Sequence, residues 1–184
     1  GDRELFEVCM RVRAGEDVAL PTSLPQEKWA IAFLHASRIR WNAEKEATFV
    51  GTKQSVAISK NPRDNHSQGV RLCYGYPLVA RRAAKQLGIK KADRLTVLKC
   101  TYSQLELRLE DETKKMKHRL KLTVDTSDFH RYFRSGFCVT LYQAQGATLA
   151  EPFTILDWNT KHMGPRQRYV AVSRAVKMKD VAAR

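Results

Sequence analysis

Two sequence blocks near the C-terminal end constrain the fold of this chain more than any other feature. The first begins with Phe137 to Leu141, where apolar β-formers surround a cysteine, and this pattern predicts a buried strand. A polar turn containing Gly146 follows, and then a short helical segment. The second block, Gln167 to Ala175, predicts a helix whose apolar residues share one face. Between the blocks, Phe153 to Trp158 predicts another buried strand, in which Asp157 stands near the end.

A similar unit lies earlier in the chain. The continuous apolar run Trp29 to Leu34 has the length of a buried strand. His35 to Arg38 then predicts a polar turn, with Ser37 as the N-cap of a helix that continues to Thr48. Repeated strand, polar turn and helix predict an α/β fold in which a parallel sheet is flanked by helices. The turns then present polar groups at the carboxyl edge of the sheet, although an ordinary β–α unit without function fits each single turn equally well.

The middle of the sequence differs from its two ends. Short β-like runs occur at Val70 to Tyr74, Leu95 to Leu98, Leu105 to Leu109 and Leu120 to Val124. Residues 81 to 91 are basic and partly helical in pattern, and residues 61 to 69 are turn-forming throughout. These patterns predict a connector helix at 1 to 24, a main domain at 25 to 69 and 129 to 184, and an inserted small β-rich domain at 70 to 128.

Charge indicates the class of partner. The chain has 184 residues, with 33 Lys and Arg against 19 Asp and Glu, and a formal net charge of +14 at pH 7. This balance predicts attraction to polyanions, most often nucleic acid, although solubility alone explains part of it. The densest basic run, Lys114 to Arg119, is either a loop that contacts phosphates or the solvated tip of a hairpin.

Cysteine and hydropathy patterns exclude other classes of protein. The four cysteines are widely spaced and the five histidines do not cluster near them, so no metal site is predicted. No apolar run approaches the roughly 20 residues that a membrane span needs, so no membrane partner is expected. Free buried thiols indicate a reducing, intracellular compartment, either nucleus or cytoplasm, with a viral replication site as an alternative. The first residue, Gly1, is compatible with a fragment of a longer protein.

The two C-terminal blocks resemble motifs V and VI of superfamily 1B helicases, of the RecD-like, petite-integration-frequency type. That family carries Thr-x-His-Lys-x-Gln-Gly-x-Thr-Leu followed by Tyr-Val-Ala-Leu-Ser-Arg-Ala. The counterparts here begin at Thr140 and at Tyr169. The chain departs from the family at Tyr142, Gln143 and Val172, where His, Lys and Leu are usual.

Two further segments resemble the same family. The unit at 29 to 48 is similar to motif IV, with His35, Ser37, Arg38 and Asn42 at the matching positions. Tyr74 to Val79 resembles the entry into a small inserted barrel, which in the family has an SH3-like fold and lies over the bound single strand. The resemblance implies the second, C-terminal RecA-like domain of such a helicase. The segment at 4 to 20 resembles the helix that connects the two RecA-like domains, but a plain surface helix fits it equally well.

The resemblance also implies roles for particular residues. Arg174 would be the arginine finger that stabilises charge on the γ-phosphate, with Arg38 as a second candidate. Gln145, Gly146 and Gln167 would lie at the same nucleotide cleft. The implied contacts with the single strand come from Thr140, Tyr142, His35, Ser37 and Asn42, with the Tyr142 ring able to stack on a base. A salt bridge on a helix face remains the alternative role of Arg174.

Parts of an ATPase are missing from the sequence. It contains no Gly-x-x-x-x-Gly-Lys-Ser/Thr loop, and Asp157 alone does not form a Walker-B pair. ATP and Mg²⁺ are therefore expected only in a full-length protein that also contains the first RecA-like domain, and the isolated chain is expected to be inactive. Single-stranded DNA is the expected partner, with RNA open. The alternatives are a non-enzymatic basic nucleic-acid-binding α/β module, or an accessory domain of a replication protein, because Asp157-Trp158 resembles replication helicases of large DNA viruses.

Overall fold

The computed structural model describes residues 1–27, 29–110, 120–149 and 151–184. The chain forms two compact units. The first unit comprises Gly1–Trp41 and Cys138–Arg184, and the second comprises Asn42–Phe137. The basic run Lys114 to Arg119 lies outside the described residues.

The helices and strands are numbered in chain order. The α-helices are α1 (Arg3–Arg13), α2 (His35–Val50), α3 (Phe129–Tyr132), α4 (Leu141–Ala144) and α5 (Pro165–Val172). The strands are β1 (Trp29–Ala32), β2 (Val56–Ile58), β3 (Val70–Leu72), β4 (Pro77–Ala80), β5 (Arg94–Cys100), β6 (Gln104–Leu109), β7 (Lys121–Asp125), β8 (Phe133–Ser135), β9 (Cys138–Thr140), β10 (Phe153–Leu156) and β11 (Val181–Ala183).

A four-stranded parallel sheet forms the centre of the first unit. Its strand order is β11-β10-β1-β9, and each neighbouring pair is parallel. β10 is buried along its whole length, and Ala30, Ile31 and Ala32 of β1 are almost fully buried. Such continuous apolar strands are typical of a sheet that is covered on both faces. The predicted fold class, a parallel sheet flanked by helices, is confirmed.

Helix α1 is present but shorter than the segment 4 to 20 predicted from the sequence, because it ends at Arg13. The Asp2 carboxylate caps the helix by accepting a hydrogen bond from the Leu5 backbone at 3.0 Å, and it also accepts one from the Met178 backbone at 3.0 Å. Cys9 and Val12 face the core of the unit, and the helix ends before Gly15, whose φ is +86°. A glycine suits this left-handed position because it has no Cβ.

Helix α5 is shorter than predicted. The sequence predicts a helix through Ala175, but α5 ends at Val172. The backbone of Arg174 bonds to Ala171 and that of Ala175 to Val172, so the last turn tightens to three-residue spacing. Ala175 then forms a parallel bridge with Leu149, which takes the chain out of the helix.

The second unit is built from antiparallel strands. β2 pairs with β3, and a five-stranded sheet has the order β7-β6-β5-β4-β8. The alternating burial along β6 and β7 shows that one face covers a core while the other faces solvent. Residues 81 to 91 are partly helical, as predicted, but the helical part is a single 3₁₀ turn, Lys85–Leu87, which ends at Gly88 with φ +67°.

The second unit contains more residues than the predicted insert at 70 to 128. Pairing of β8 with β4 brings Phe133–Ser135 into this unit, and the C-terminal half of α2 joins it through Asn42 and Glu46. Pattern in the sequence cannot locate such a boundary, because it falls inside a helix. The SH3-like character of the insert and the domain bounds drawn from the sequence stay predictions.

Candidate functional site

The carboxyl ends of three strands align at one edge of the sheet in the first unit. Ala32 of β1 is in register with Thr140 of β9 on one side and with Leu156 of β10 on the other. The residues that follow these strands are therefore neighbours, as the repeated strand and turn pattern predicts. This edge carries most of the site residues that the resemblance implies.

Asp157 ties the turn after β1 to the end of β10. One carboxylate oxygen accepts hydrogen bonds from the Phe33 and Leu34 backbones, at 3.1 and 2.9 Å. The other accepts one from the Ser37 hydroxyl at 2.5 Å. Asp157 itself has φ +67°, a left-handed conformation that aspartate adopts more readily than most residues. Sequence analysis missed this role, and the signal for it was an acidic residue directly after a buried strand.

The predicted N-cap of α2 is wrong. The helix begins at His35, and the Arg38 backbone already bonds to the Leu34 carbonyl at 3.2 Å. Ser37 therefore lies within the first helical turn, where its hydroxyl is committed to Asp157. His35, at the start of the helix, is exposed.

Arg38 lies inside the first unit, not on its surface. Only 2 % of its surface is exposed, and its charge acts on the nearby Cys138 thiol. Burial raises the pKa of Cys138; Arg38 opposes that rise and Asp157 adds to it. Because Arg38 is almost completely buried, its position favours a structural role over direct contact with a phosphate.

Thr140 ends β9 and caps the helix that follows it. Its hydroxyl accepts a hydrogen bond from the Gln143 backbone at 3.3 Å, and the Gln143 side chain accepts one from the Thr140 backbone at 3.3 Å. This reciprocal capping box is encoded by the spacing Thr-x-x-Gln, a signal that the sequence analysis did not use. Thr140 is buried, whereas Tyr142 in the next turn is 73 % exposed. Of these two predicted contacts with nucleic acid, only Tyr142 presents its side chain to solvent.

Gly146 forms an open turn after α4. Its φ is +85°, and a Cβ built there would meet no described heavy atom within 4 Å. Gln145, which precedes it, is exposed at the end of α4. The turn is thus left-handed and open to solvent, so an approaching ligand could reach its backbone.

Arg174 lies against this turn. Its Nη1 donates to the Ala147 carbonyl at 3.1 Å, and its Nε donates to the Val170 carbonyl at 3.1 Å. Nη2 donates to the Ser173 hydroxyl at 3.0 Å, and the Leu149 backbone donates to the Arg174 carbonyl at 2.7 Å. The guanidinium is half-buried. Ala147 and Arg174, which are 27 residues apart and belong to the two sequence blocks, therefore meet beside Gly146.

Two predicted site residues lie elsewhere. Gln167, in the first turn of α5, is half-buried, and its side-chain oxygen lies over Gly164. Asn42 is fully buried in the second unit, where its side-chain oxygen accepts a hydrogen bond from the Ser135 hydroxyl at 3.2 Å. Its place in this buried network, next to Tyr76, supports a structural role in place of the predicted contact with the strand.

Neither a metal cluster nor a membrane helix is found in the described part of the chain. No group of three or more His, Cys, Asp or Glu side chains there has the arrangement of a metal site. None of the described helices combines the length and apolar character needed to span a bilayer.

Comparison of the sequence with family models and with curated proteins gives no match. Solved structures do match. A Pif1 helicase described in the unwinding of forked double-stranded DNA is 16 % identical, with a TM-score of 0.71, over 100 % of this chain and 47 % of that one. The Pif1 helicase of Candida albicans is 14 % identical, with a TM-score of 0.67, over 100 % and 53 %.

Bacteroides Pif1 bound to single-stranded DNA is 16 % identical, with a TM-score of 0.65, over 100 % of this chain and 49 % of that one. The chain spans about half the length of these proteins. At such identities the likeness shows the fold: this chain folds like half of a Pif1 helicase.

Proposed function

We propose that this chain is the C-terminal motor half of an ATP-dependent DNA helicase. The observation that carries the proposal is the contact between Arg174 and the Gly146 turn at the carboxyl edge of a parallel sheet. A basic α/β module without a link to ATP has no reason to hold an arginine against an open glycine turn. The match to half of each Pif1 helicase, over the whole of this chain, supports the same assignment.

In the proposed mechanism, a first RecA-like domain outside this chain holds ATP and Mg²⁺. Arg174 would extend to the γ-phosphate and would stabilise the charge that develops during phosphoryl transfer. The bond from Nη1 to the Ala147 carbonyl is the one that a phosphate oxygen would replace, because the Gly146 turn beside it is open. Gln145 is exposed, directly precedes Gly146 in the chain, and would contact the same phosphate.

The proposed contacts with single-stranded DNA fall on the exposed members of the predicted set. Tyr142 and His35 present rings to solvent at the starts of two helices on the same sheet edge. Stacking of a base on an aromatic ring contributes about 1–3 kcal/mol. Opening and closing of the nucleotide cleft would change the grip of this edge on the strand, and this change would drive translocation.

The test uses the full-length parent protein and measures DNA-stimulated ATP hydrolysis. Arg174→Ala should lower kcat by about a thousandfold or more, the range for arginine fingers, with a smaller effect on ATP binding. The matched control is Arg166→Ala, an exposed arginine of α5, the helix that precedes Arg174, and it should leave kcat within about twofold. Arg174→Lys should not restore the rate, because an ammonium lacks the planar fork of the guanidinium.

Arg174 donates hydrogen bonds to three groups of its own chain, so its replacement could also destabilise the fold. Fluorescence of each variant therefore checks that the protein is folded before its loss of ATP hydrolysis is assigned to the missing guanidinium. A loss of activity that follows only a loss of folded protein would contradict the finger role. The isolated chain should hydrolyse no ATP. Retained ATP hydrolysis in folded Arg174→Ala would contradict the finger role, whereas DNA binding without any ATP hydrolysis in the unmutated parent would support the non-enzymatic nucleic-acid-binding module.

A further inference from the structure

The second unit contains an open cleft that the proposed motor function does not use. Its walls are the loop at residues 61 to 66, the arginines at 81 and 82, and the segment from Ser127 to Arg131. All of these residues belong to Asn42–Phe137. None of them is among the predicted site residues.

The cleft is strongly basic. Arg63, Arg81, Arg82 and Arg131 line it, and Asp64 is the one carboxylate among its described lining residues. One oxygen of Asp64 accepts hydrogen bonds from Arg81 at 2.9 Å and from Arg134 at 3.3 Å. The carboxylate is therefore already committed to Arg81 and Arg134, and among the described residues of the cleft it forms no ion pair with Arg63, Arg82 or Arg131.

The pKa of Asp64 supports this description of its charge. Burial alone would raise the pKa, but the hydrogen bond from the His66 backbone and the charges of Arg81 and Arg134 outweigh burial and lower it. The carboxylate thus stays ionised and paired. In turn, the pKa of Arg134 is lowered, first by burial and then by the nearby charge of Arg81. Positive charge is crowded around this cleft.

Two of the arginines are fixed on one ring. The guanidinium of Arg82 lies 5.5 Å from the centre of the Tyr132 ring, and that of Arg131 lies 5.1 Å from it. Tyr132 is itself buried, so the ring is a rigid platform. Arg131 also pairs with Asp128 at 3.8 Å, but both side chains are largely exposed and such pairs contribute little. Two like charges held at one cleft repel each other, and an anion bound between the walls would relieve this repulsion.

The loop that forms the other wall is preorganised. The Asn61 side chain accepts a hydrogen bond from the Arg63 backbone at 3.0 Å, and the Ser67 hydroxyl accepts one from the Asn61 backbone at 2.9 Å. His130 spans the base of the loop, 3.2 Å from the Ser67 hydroxyl and 2.6 Å from the Ser59 carbonyl. A ligand would therefore not have to order this loop, which lowers the cost of binding.

We infer that this cleft binds the phosphodiester backbone of nucleic acid, through Arg63, Arg82 and Arg131, without reading the bases. No Phe, Tyr or Trp is among its described lining residues, so the cleft lacks the stacking platform typical of single-strand sites. Contacts to phosphate alone position a nucleic acid but do not specify its sequence. A duplex, with its dense phosphates, should therefore bind here at least as well as a single strand.

The experiment titrates the 184-residue chain against a short blunt-ended DNA duplex and a single strand of mixed sequence, by fluorescence anisotropy at several salt concentrations. The double variant Arg82→Gln/Arg131→Gln should lose about tenfold in duplex affinity at low salt. The slope of log affinity against log salt should fall by roughly 1–2, because each lost phosphate contact lowers it by about 0.9. The matched control is Lys85→Gln/Lys90→Gln, exposed lysines of the same unit with the same loss of charge. It should lose less than about twofold.

Three outcomes would overturn the inference. Equal losses in the arginine and lysine variants would show that only overall charge matters. A loss of affinity for the single strand alone, with duplex affinity unchanged, would show that the cleft is a single-strand site. Saturable binding of inorganic phosphate that Arg82→Gln/Arg131→Gln abolishes, with duplex binding unchanged, would assign the cleft to a free anion.

Two further variants keep the result decisive. Should Arg82→Gln/Arg131→Gln misfold by circular dichroism, Arg63→Gln on the opposite wall must show the same selective loss of duplex affinity. Tyr142→Ala in the first unit should weaken the single strand and leave the duplex unchanged. Failure of the cleft is thereby separated from failure of the proposed single-strand site, since the two share no residue.

Discussion

Replacement of Asp157 should reveal how the edge of the parallel sheet is held together. Its carboxylate accepts three hydrogen bonds, from the backbones of Phe33 and Leu34 and from the Ser37 hydroxyl. Asp157→Ala removes all three acceptor contacts at once. It also places an alanine at φ +67°, where the Cβ is strained.

The expected loss in the free energy of unfolding follows from these contacts. Hydrogen bonds to a charged group contribute about 1.5–3 kcal/mol each when buried, and about 1 kcal/mol each is reasonable here because Leu34 is 39 % exposed. The three bonds then give about 3 kcal/mol, and the alanine backbone adds about 1 kcal/mol. Asp157→Asn keeps one oxygen acceptor and a residue that tolerates this φ, so its loss should be about 1–2 kcal/mol. Asp157→Gly relieves the strain but loses the bonds, and should lie between the other two.

Tryptophan fluorescence during urea unfolding measures this quantity directly. The three tryptophans of the chain, Trp29, Trp41 and Trp158, all lie in the first unit, so the signal reports on the unit that contains Asp157. Lys161→Ala, an exposed position in the segment after β10, is the control and should stay within about 0.5 kcal/mol of the parent. Equal losses for Asp157→Ala and Asp157→Asn would refute the reasoning, because the retained acceptor would then have no effect.

Two further predictions concern titratable groups. The pKa of Asp64 is lowered in the folded chain, so its ionised form stabilises the second unit above the unfolded value of about 3.9. This contribution is lost as pH falls through the lowered pKa of the folded state. The loss of unfolding free energy caused by Asp64→Asn, measured by circular dichroism, should therefore be largest at neutral pH and should shrink in acid. A loss that is the same at every pH would contradict the pairing of Asp64 with the arginines. Burial raises the pKa of Cys100 to about 11, so its thiolate fraction at pH 8 is about two orders of magnitude below that of an unfolded thiol. Alkylation of Cys100 by iodoacetamide, followed by peptide mass spectrometry, should be slower in the folded chain by a similar factor, and equal rates in folded and urea-unfolded chain would contradict it.

Three of the four strands of the parallel sheet, β1, β9 and β10, were predictable because continuous apolar runs mark them. Strands buried on both faces appear as continuous apolar runs, as in Trp29–Ala32 and Phe153–Leu156. The same reasoning placed their polar turns at one edge, since parallel strands share a direction. The contact between Arg174 and the Gly146 turn was predictable only from the resemblance of the two blocks to helicase motifs, because nothing in either segment by itself points to the other.

Features set by tertiary contacts were not predictable. The end of α5 at Val172 depends on the bridge between Leu149 and Ala175, two residues far apart in the sequence. The start of α2 depends on Asp157, which lies 120 residues beyond Ser37. The Asp157 carboxylate, and not the predicted Ser37 hydroxyl, accepts the hydrogen bonds at the start of the helix. In both places local pattern favoured one helix boundary, and a partner remote in sequence moved it.

Residues that belong to the same sequence motif differ in whether their side chains are buried or exposed. Thr140 and Tyr142 belong to one motif, yet the first caps a helix from inside while the second is 73 % exposed. Arg38 and His35 divide in the same way, because only His35 reaches solvent. A motif therefore records both the residues that touch a ligand and those that hold them in place, and spacing does not separate the two. Only the exposed members can meet a strand without prior opening of the unit, so under the proposed function recognition at this edge would depend on the two rings and on the open backbone at the glycine turn.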